Sequence, residues 1–247
     1  MAVTLERSGL DDLLAALWRR GYTVVGPTVA DGAIVYDELH TTDELPVGWT
    51  DEQDGGHYRL KRRDDDALFG YAVGPHSWKR YQLPPAARLW RARLGEDGSL
   101  TELEEPSPGP RHAFVGVRSC ELHAMAILDR ARPGERPFVV AVQCGQAGGT
   151  CFCVSMGTGP TADSGYDLAV TEVLDDGHYF VAEAGTEEGA AVLGELQSAP
   201  AGAQEEAAAG RAHDRAAAQM GRAMDTTGIR DLLLDNLEHP RGDDVAE

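Results

Sequence analysis

The placement of its cysteines narrows most what this chain can fold into. Cys120, Cys144, Cys151 and Cys153 are all it has, crowded into one stretch of a 247-residue sequence. Free cysteine behaves as a small core hydrophobe, so a scattered set would say little. A confined set asks the fold to bring one stretch to one place. The gaps are x23, x6 and x1, and the last three cysteines fall in Cys144-Gly145-Gln146-Ala147-Gly148-Gly149-Thr150-Cys151-Phe152-Cys153. Glycines there let the backbone close around a bulky inorganic group and turn N–H groups toward its sulfurs. Structural zinc sites pair cysteines in C-x2–4-C knuckles, a spacing not found here, whereas iron–sulfur clusters accept scattered ligands. A [4Fe–4S] cluster held by Cys120, Cys144, Cys151 and Cys153 is the first expectation. Zinc and free structural thiols are the alternatives.

The flanking pattern says how the ligands could meet. Arg111 to Val117 reads as an apolar strand, Ser119 as the cap of a helix with Cys120 in its first turn, and Pro137 to Val142 as a second strand ending at Cys144. A helix N-terminus favours negative charge, which would suit a thiolate at Cys120. Strand, helix and strand together predict a βαβ unit whose loops converge on one site. His123 lies one residue round from the Leu122, Met125 and Ala126 face, and reads as a structural hydrogen-bonder rather than a ligand. Gly157-Thr158-Gly159-Pro160 is too short to indicate a nucleotide site, and no G-x-G-x-x-G or P-loop follows it.

Elsewhere the chain alternates strands and turns. Leu10, Leu13, Leu14 and Leu17 trace one face of a helix between Ser8 and Gly21. Asp31-Gly32, Asp97-Gly98 and Asp176-Gly177 are hairpin signals. They join Thr23–Val25 to Ala33–Tyr36, Leu89–Leu94 to Leu100–Leu103, and Leu168–Val173 to His178–Ala182. Residues 40–57 and 104–111 are polar and aperiodic and read as loops. Between them, Gly74-Pro75-His76-Ser77-Trp78-Lys79-Arg80-Tyr81 admits two readings: a packed turn with Trp78 and Tyr81 buried, or a face on which His76 and the cations meet a partner or an anionic centre. Gly202 to Met224 predicts a surface helix. Ile229 to Leu237 predicts an apolar helix that faces the core or packs against whatever follows it, and 241–247 a linker. The fold class expected is α/β or mixed α+β, with a β-rich first half, a βαβ-like cluster-binding unit and a helical carboxy-terminal extension. Residues 1–200 form the main domain, and 201–247 the extension and linker.

Charge excludes several functions. Against 22 Lys plus Arg stand 41 Asp plus Glu, a net charge of −19 that repels nucleic acid and anionic membrane. The amino-terminal residues lack a basic segment followed by an apolar one, and no window reaches the length of a membrane span. A cytoplasmic protein is expected, where reducing conditions favour metal binding over disulfides. No G-x-S-x-G elbow, H-E-x-x-H pair or kinase signature appears. Asp64-Asp65-Asp66 and Glu104-Glu105 read as solvated loop. No residue of the chain is expected to be catalytic.

Three longer segments carry a resemblance: Gly74-Pro75-His76-Ser77-Trp78-Lys79, then Gly116-Val117-Arg118-Ser119-Cys120-Glu121-Leu122-His123-Ala124, then Gly148 to Gly159. They resemble the amino-terminal part of the iron–sulfur subunit family shared by anaerobic sulfite reductases and cytoplasmic nickel–iron hydrogenases of the sulfhydrogenase type, in which it is the beta subunit. The likeness continues weakly through Tyr166 to Glu172 and Met224 to Ile229. It implies a non-catalytic electron-transfer subunit with Cys120, Cys144, Cys151 and Cys153 as cluster ligands. Its implied partners are a flavin-containing NAD(P)H-linked or ferredoxin-linked subunit and a catalytic sulfite reductase or hydrogenase subunit. Family members continue, past a segment like Leu237-Glu238-His239-Pro240-Arg241, into a ferredoxin-like module with two further cysteine sets. This sequence ends at Glu247 with no cysteine beyond Cys153, as expected of a truncated product, an excised domain or a form whose ferredoxin module is on another chain. The competing class is a zinc-stabilised or metal-free scaffold with no redox role.

Overall fold

The computed structural model describes residues 2–83, 86, 90–95, 97–104, 109–131, 136–175 and 177–236. The chain runs β1 (Val3–Glu6), α1 (Gly9–Arg19), β2 (Thr23–Ala30), β3 (Ala33–Glu38), a 3-10 turn (Thr42–Glu44), β4 (Trp49–Asp54), β5 (His57–Arg62), α2 (Lys79–Gln82), β6 (Arg91–Leu94) and β7 (Leu100–Glu104). It continues through β8 (His112–Val117), α3 (Ser119–Ala131), β9 (Phe138–Val142), α4 (Cys153–Met156), β10 (Leu168–Val173), β11 (Tyr179–Ala184), α5 (Glu187–Leu193), β12 (Ala199–Pro200), α6 (Ala203–Ala218) and α7 (Ile229–Asp235).

One mixed sheet, in the order β12-β1-β11-β10-β9-β8-β2-β3, forms the centre. Strands β2, β8, β9 and β10 are parallel, and β3 and β11 add antiparallel neighbours at either side of them. The fold is therefore mixed α/β, and β8, α3 and β9 make the βαβ unit expected from the sequence. Parallel strands covered on both faces read as unbroken apolar runs, which is why Phe138-Val139-Val140-Ala141-Val142 is buried throughout. Successive residues serve opposite faces. Val24, Val115, Val140 and Val170 pack with the α1 leucines on one side. Val25, Phe114, Val139 and Ala169 pack with Leu122 and Met125 of α3 on the other.

The hairpin signals hold. Ala30 pairs with Ala33 across Asp31-Gly32, both at positive φ, and Val173 pairs with Tyr179. Asp97-Gly98 lies between β6 and β7, whose first strand begins at Arg91; Asp176 is outside the described residues. Three expectations are corrected. Residues 40–57 contain β4, which pairs with β5 across Gly55-Gly56; its Thr-Asp-Glu-Gln-Asp run hid the strand because neither face is strongly apolar. Helix α6 is not a bare surface helix, since Ala208, Ala209, Ala212 and Ala216 are buried, and it packs on β10 and β11 with Val173 and Val181. Helix α7 has no buried residue, so the core-facing role expected of it is not observed over Ile229–Asp235; Leu237 and the expected linker at 241–247 lie outside the described residues. No helix among the described residues is long and apolar enough to cross a membrane.

Candidate metal–sulfur site

Chain direction brings the cysteines together. Strands β8 and β9 are parallel, so their carboxyl ends lie side by side, the position at which open α/β sheets bind ligands. Cys120 follows β8 in the first turn of α3, and Cys144 follows β9. From Cys144 the glycine loop leads to Cys151 and Cys153, the latter opening α4. All four are free thiols, each residue partly exposed. Every pair among them is close enough for one thiolate to raise the pKa of another. Among the described residues, no three His, Cys, Asp or Glu side chains are drawn in around the position of a single metal ion.

The α3 terminus is built differently from the sequence expectation. Ser119 is already helical, and its hydroxyl donates to the Thr161 carbonyl at 3.0 Å. Arg118 precedes the helix, and its backbone N–H donates to Glu121 Oε2 at 2.9 Å, so the glutamate reaches back over the first turn as in a capping box. Nor does the helix terminus make Cys120 acidic. Burial, then Glu121, then the other cysteines push its thiol up to about 12. Burial also raises Cys144, with Arg118 opposing and Cys153 and Cys151 adding to the rise. Burial and Cys151 raise Cys153, against nearby backbone N–H groups. Four such thiols ionise together only if positive charge is placed among them, and a metal–sulfur group would supply it.

The surrounding chain is fitted closely to the loop. The Gly148 N–H donates to Cys151 Sγ at 3.3 Å, the kind of contact by which backbone amides meet cluster sulfurs. A β-carbon on Gly149 would overlap the carbonyl oxygen of Gln53 in β4, and one on Gly221 would overlap that of Gly149. Thr150 Oγ1 donates to Gln53 Oε1 at 2.8 Å. Residues 220–226 pass over the other side. Met220 Sδ lies 3.8 Å from Cys153 Sγ, Arg222 N–H donates to the Cys151 carbonyl at 2.9 Å, and Met224 N–H donates to Ser155 Oγ at 3.0 Å. Beneath, Arg118 is 1% exposed and its Nε–H has no partner.

No family model matches the chain. No curated protein and no solved structure matches it either. The site offers four sulfur donors, a glycine loop with an N–H on sulfur, and a buried cation with an unpartnered donor. These fit an anionic iron–sulfur group.

Sequence reasoning named the four cysteines. It missed Arg118, Gln53, Met220 and Arg222, and only Arg118, two residues before Cys120, stood where local sequence could have flagged it. Neither His76 nor His123 joins the site. His123 is exposed on α3. His76 borders a shallow surface depression with Lys79 and Arg80, while Trp78 is 2% exposed and stacks on Tyr36 at 3.8 Å and on Phe114 at 4.8 Å. The packed-turn reading of that segment accounts for Trp78, and Lys79 and Arg80 are exposed. Gly157 closes α4 in a left-handed conformation, which gives the short glycine motif a structural role.

Proposed function

We propose that Cys120, Cys144, Cys151 and Cys153 hold a [4Fe–4S] cluster and that the chain is an electron-transfer component of a cytoplasmic oxidoreductase complex. The observation that carries this is the gathering of four free thiols on one side of the sheet, Cys120 and Cys144 directly after the parallel strands β8 and β9, and Cys151 and Cys153 on the loop that follows Cys144. When bound, a cluster supplies one-electron oxidation and reduction. The protein's part is to hold and shield it. The four sulfurs ligate, Gly148 N–H donates toward the Cys151 sulfur, and residues 220–226 cover one side. Phe152, Val154 and Met156 are exposed around Cys153, so the site lies near the surface. That position suits electron exchange with another protein.

The motif resemblance supplies the partners in this reading: a flavin-containing NAD(P)H-linked or ferredoxin-linked subunit on one side and a sulfite reductase or hydrogenase catalytic subunit on the other. The −19 charge argues for partners with basic docking surfaces and against nucleic acid.

Serine substitution tests the ligand set. Cys151→Ser keeps the size of the side chain and removes the soft donor. Anaerobically reconstituted Cys151→Ser is expected to lose most of the iron and the visible absorbance of the unsubstituted protein, with an unchanged far-ultraviolet circular dichroism spectrum. Full iron and absorbance in this variant would remove Cys151 from the ligand set.

A further inference from the structure

We propose that Arg118 is the buried counter-cation of the group held by the four cysteines, and that its fixed positive charge raises the reduction potential of that group. The inference rests on the iron–sulfur reading above.

A guanidinium is costly to bury unless its charge is balanced and its donors are used. Arg118 is almost wholly buried, yet its side-chain bonds go to neutral carbonyls. Nη2 donates to Phe69 O at 2.8 Å and Tyr71 O at 3.1 Å, and Nη1 to Gln143 O at 3.4 Å. Among the described residues no carboxylate makes an ion pair with it. Glu121 is spent elsewhere, accepting from the Arg118 backbone N–H and from Tyr36 Oη at 2.6 Å. Burial works against the arginine's charge. The neighbour that most favours it is Cys144, ahead of Tyr71, Tyr36 and Glu121.

The Nε–H remains, buried and unpartnered. Tyr71 Oη is unpartnered as well and lies beside the guanidinium without meeting hydrogen-bond geometry, the ring centroid being 5.0 Å from Cζ. The arrangement is a buried positive charge with an unpartnered Nε–H, clamped by three carbonyls, one of them that of Gln143 beside Cys144; the Glu121 and Asp51 carboxyls lie within electrostatic reach of it, but neither forms an ion pair with it. Four thiolates and a cluster core carry net negative charge, which grows by one on reduction. A rigid cation beside them stabilises the reduced form more than the oxidised. The three carbonyls also explain why the residue is arginine, since a lysine ammonium could not span them in one plane.

The test is a reduction midpoint, which a merely structural arginine would not set. In reconstituted full-length protein, Arg118→Gln removes the charge and retains a donor for the carbonyls, and Arg118→Lys retains the charge. The Gln variant is expected to show at least a tenfold lower ratio of reduced to oxidised cluster at the original midpoint, about 59 mV for a one-electron couple, while the Lys variant stays closer to the original. An unchanged midpoint in Arg118→Gln overturns the proposal and leaves the cluster assignment standing. Should the Gln variant fail to fold or load, the unsubstituted protein decides. Grown with 15N-arginine and reduced, its cluster is expected to show a weak 15N hyperfine coupling by pulsed electron paramagnetic resonance, and absence of that coupling overturns the proposal. A wild-type protein that takes up no iron removes the cluster reading and this inference together.

Discussion

Thiols gathered in one place resist ionising together. Burial raises Cys120, Cys144 and Cys153, and each neighbouring thiolate raises them further. The helix terminus at Cys120 is too small an influence to reverse this, because its effect amounts to roughly half a charge and Glu121 sits on the same turn. That the four residues are confined to one stretch was legible in the sequence, since their confinement is a property of the chain. The groups that position them were not. Gln53, Met220 and Arg222 reach the loop from segments far away in sequence, and no local pattern distinguishes them. The close fit is testable at one atom. Gly149→Ala places a methyl against the Gln53 carbonyl; overpacking of this kind costs about 1–3 kcal/mol. The midpoint of thermal unfolding should fall by about 2–4 °C for each kcal/mol, and a variant that melts with the parent would show that β4 does not press on the loop.

At the scale of elements, what the sequence revealed depended on contrast. Two-residue turns at Asp31-Gly32 and the apolar runs of β8 and β9 stand out from their surroundings, and they appear where expected. Strand β4 and the buried face of α6 lack that contrast. One is polar on both sides, and the other is apolar only through alanine. Helix α6 also makes the fold sensitive to pH. Its His213 bonds Thr171 Oγ1 of β10 at 3.0 Å through Nε2, and burial lowers its pKa below the ordinary 6.5, against the pull of Asp214 and Glu183. A histidine lowered in the folded state contributes stability that is complete above 6.5 and is lost as pH falls below it. Unfolding by denaturant should therefore become easier between pH 6.5 and 5. His213→Gln should flatten part of that slope, the remainder including His112, which burial lowers in the same way. A slope identical in the variant would show that His213 is not buried in solution as it is here.

For the whole molecule, one sheet does two jobs. Its apolar centre, covered by α1 on one face and by α3 and α6 on the other, supplies the core. Its parallel strands end together and bring distant cysteines to a common point. The class of fold, and the position of Cys120 and Cys144 after the ends of neighbouring parallel strands, follow from hydrophobic runs and chain direction, and so could be read from residues alone. What fills the site is a matter of chemistry, and one measurement addresses it most directly: iron, zinc and acid-labile sulfide in protein purified and reconstituted without oxygen, with a visible spectrum before and after dithionite. A chain that holds a [4Fe–4S] cluster should give about four irons and four sulfides and a broad absorbance that bleaches on reduction. One zinc and no sulfide, or no metal at all after reconstitution, would contradict it.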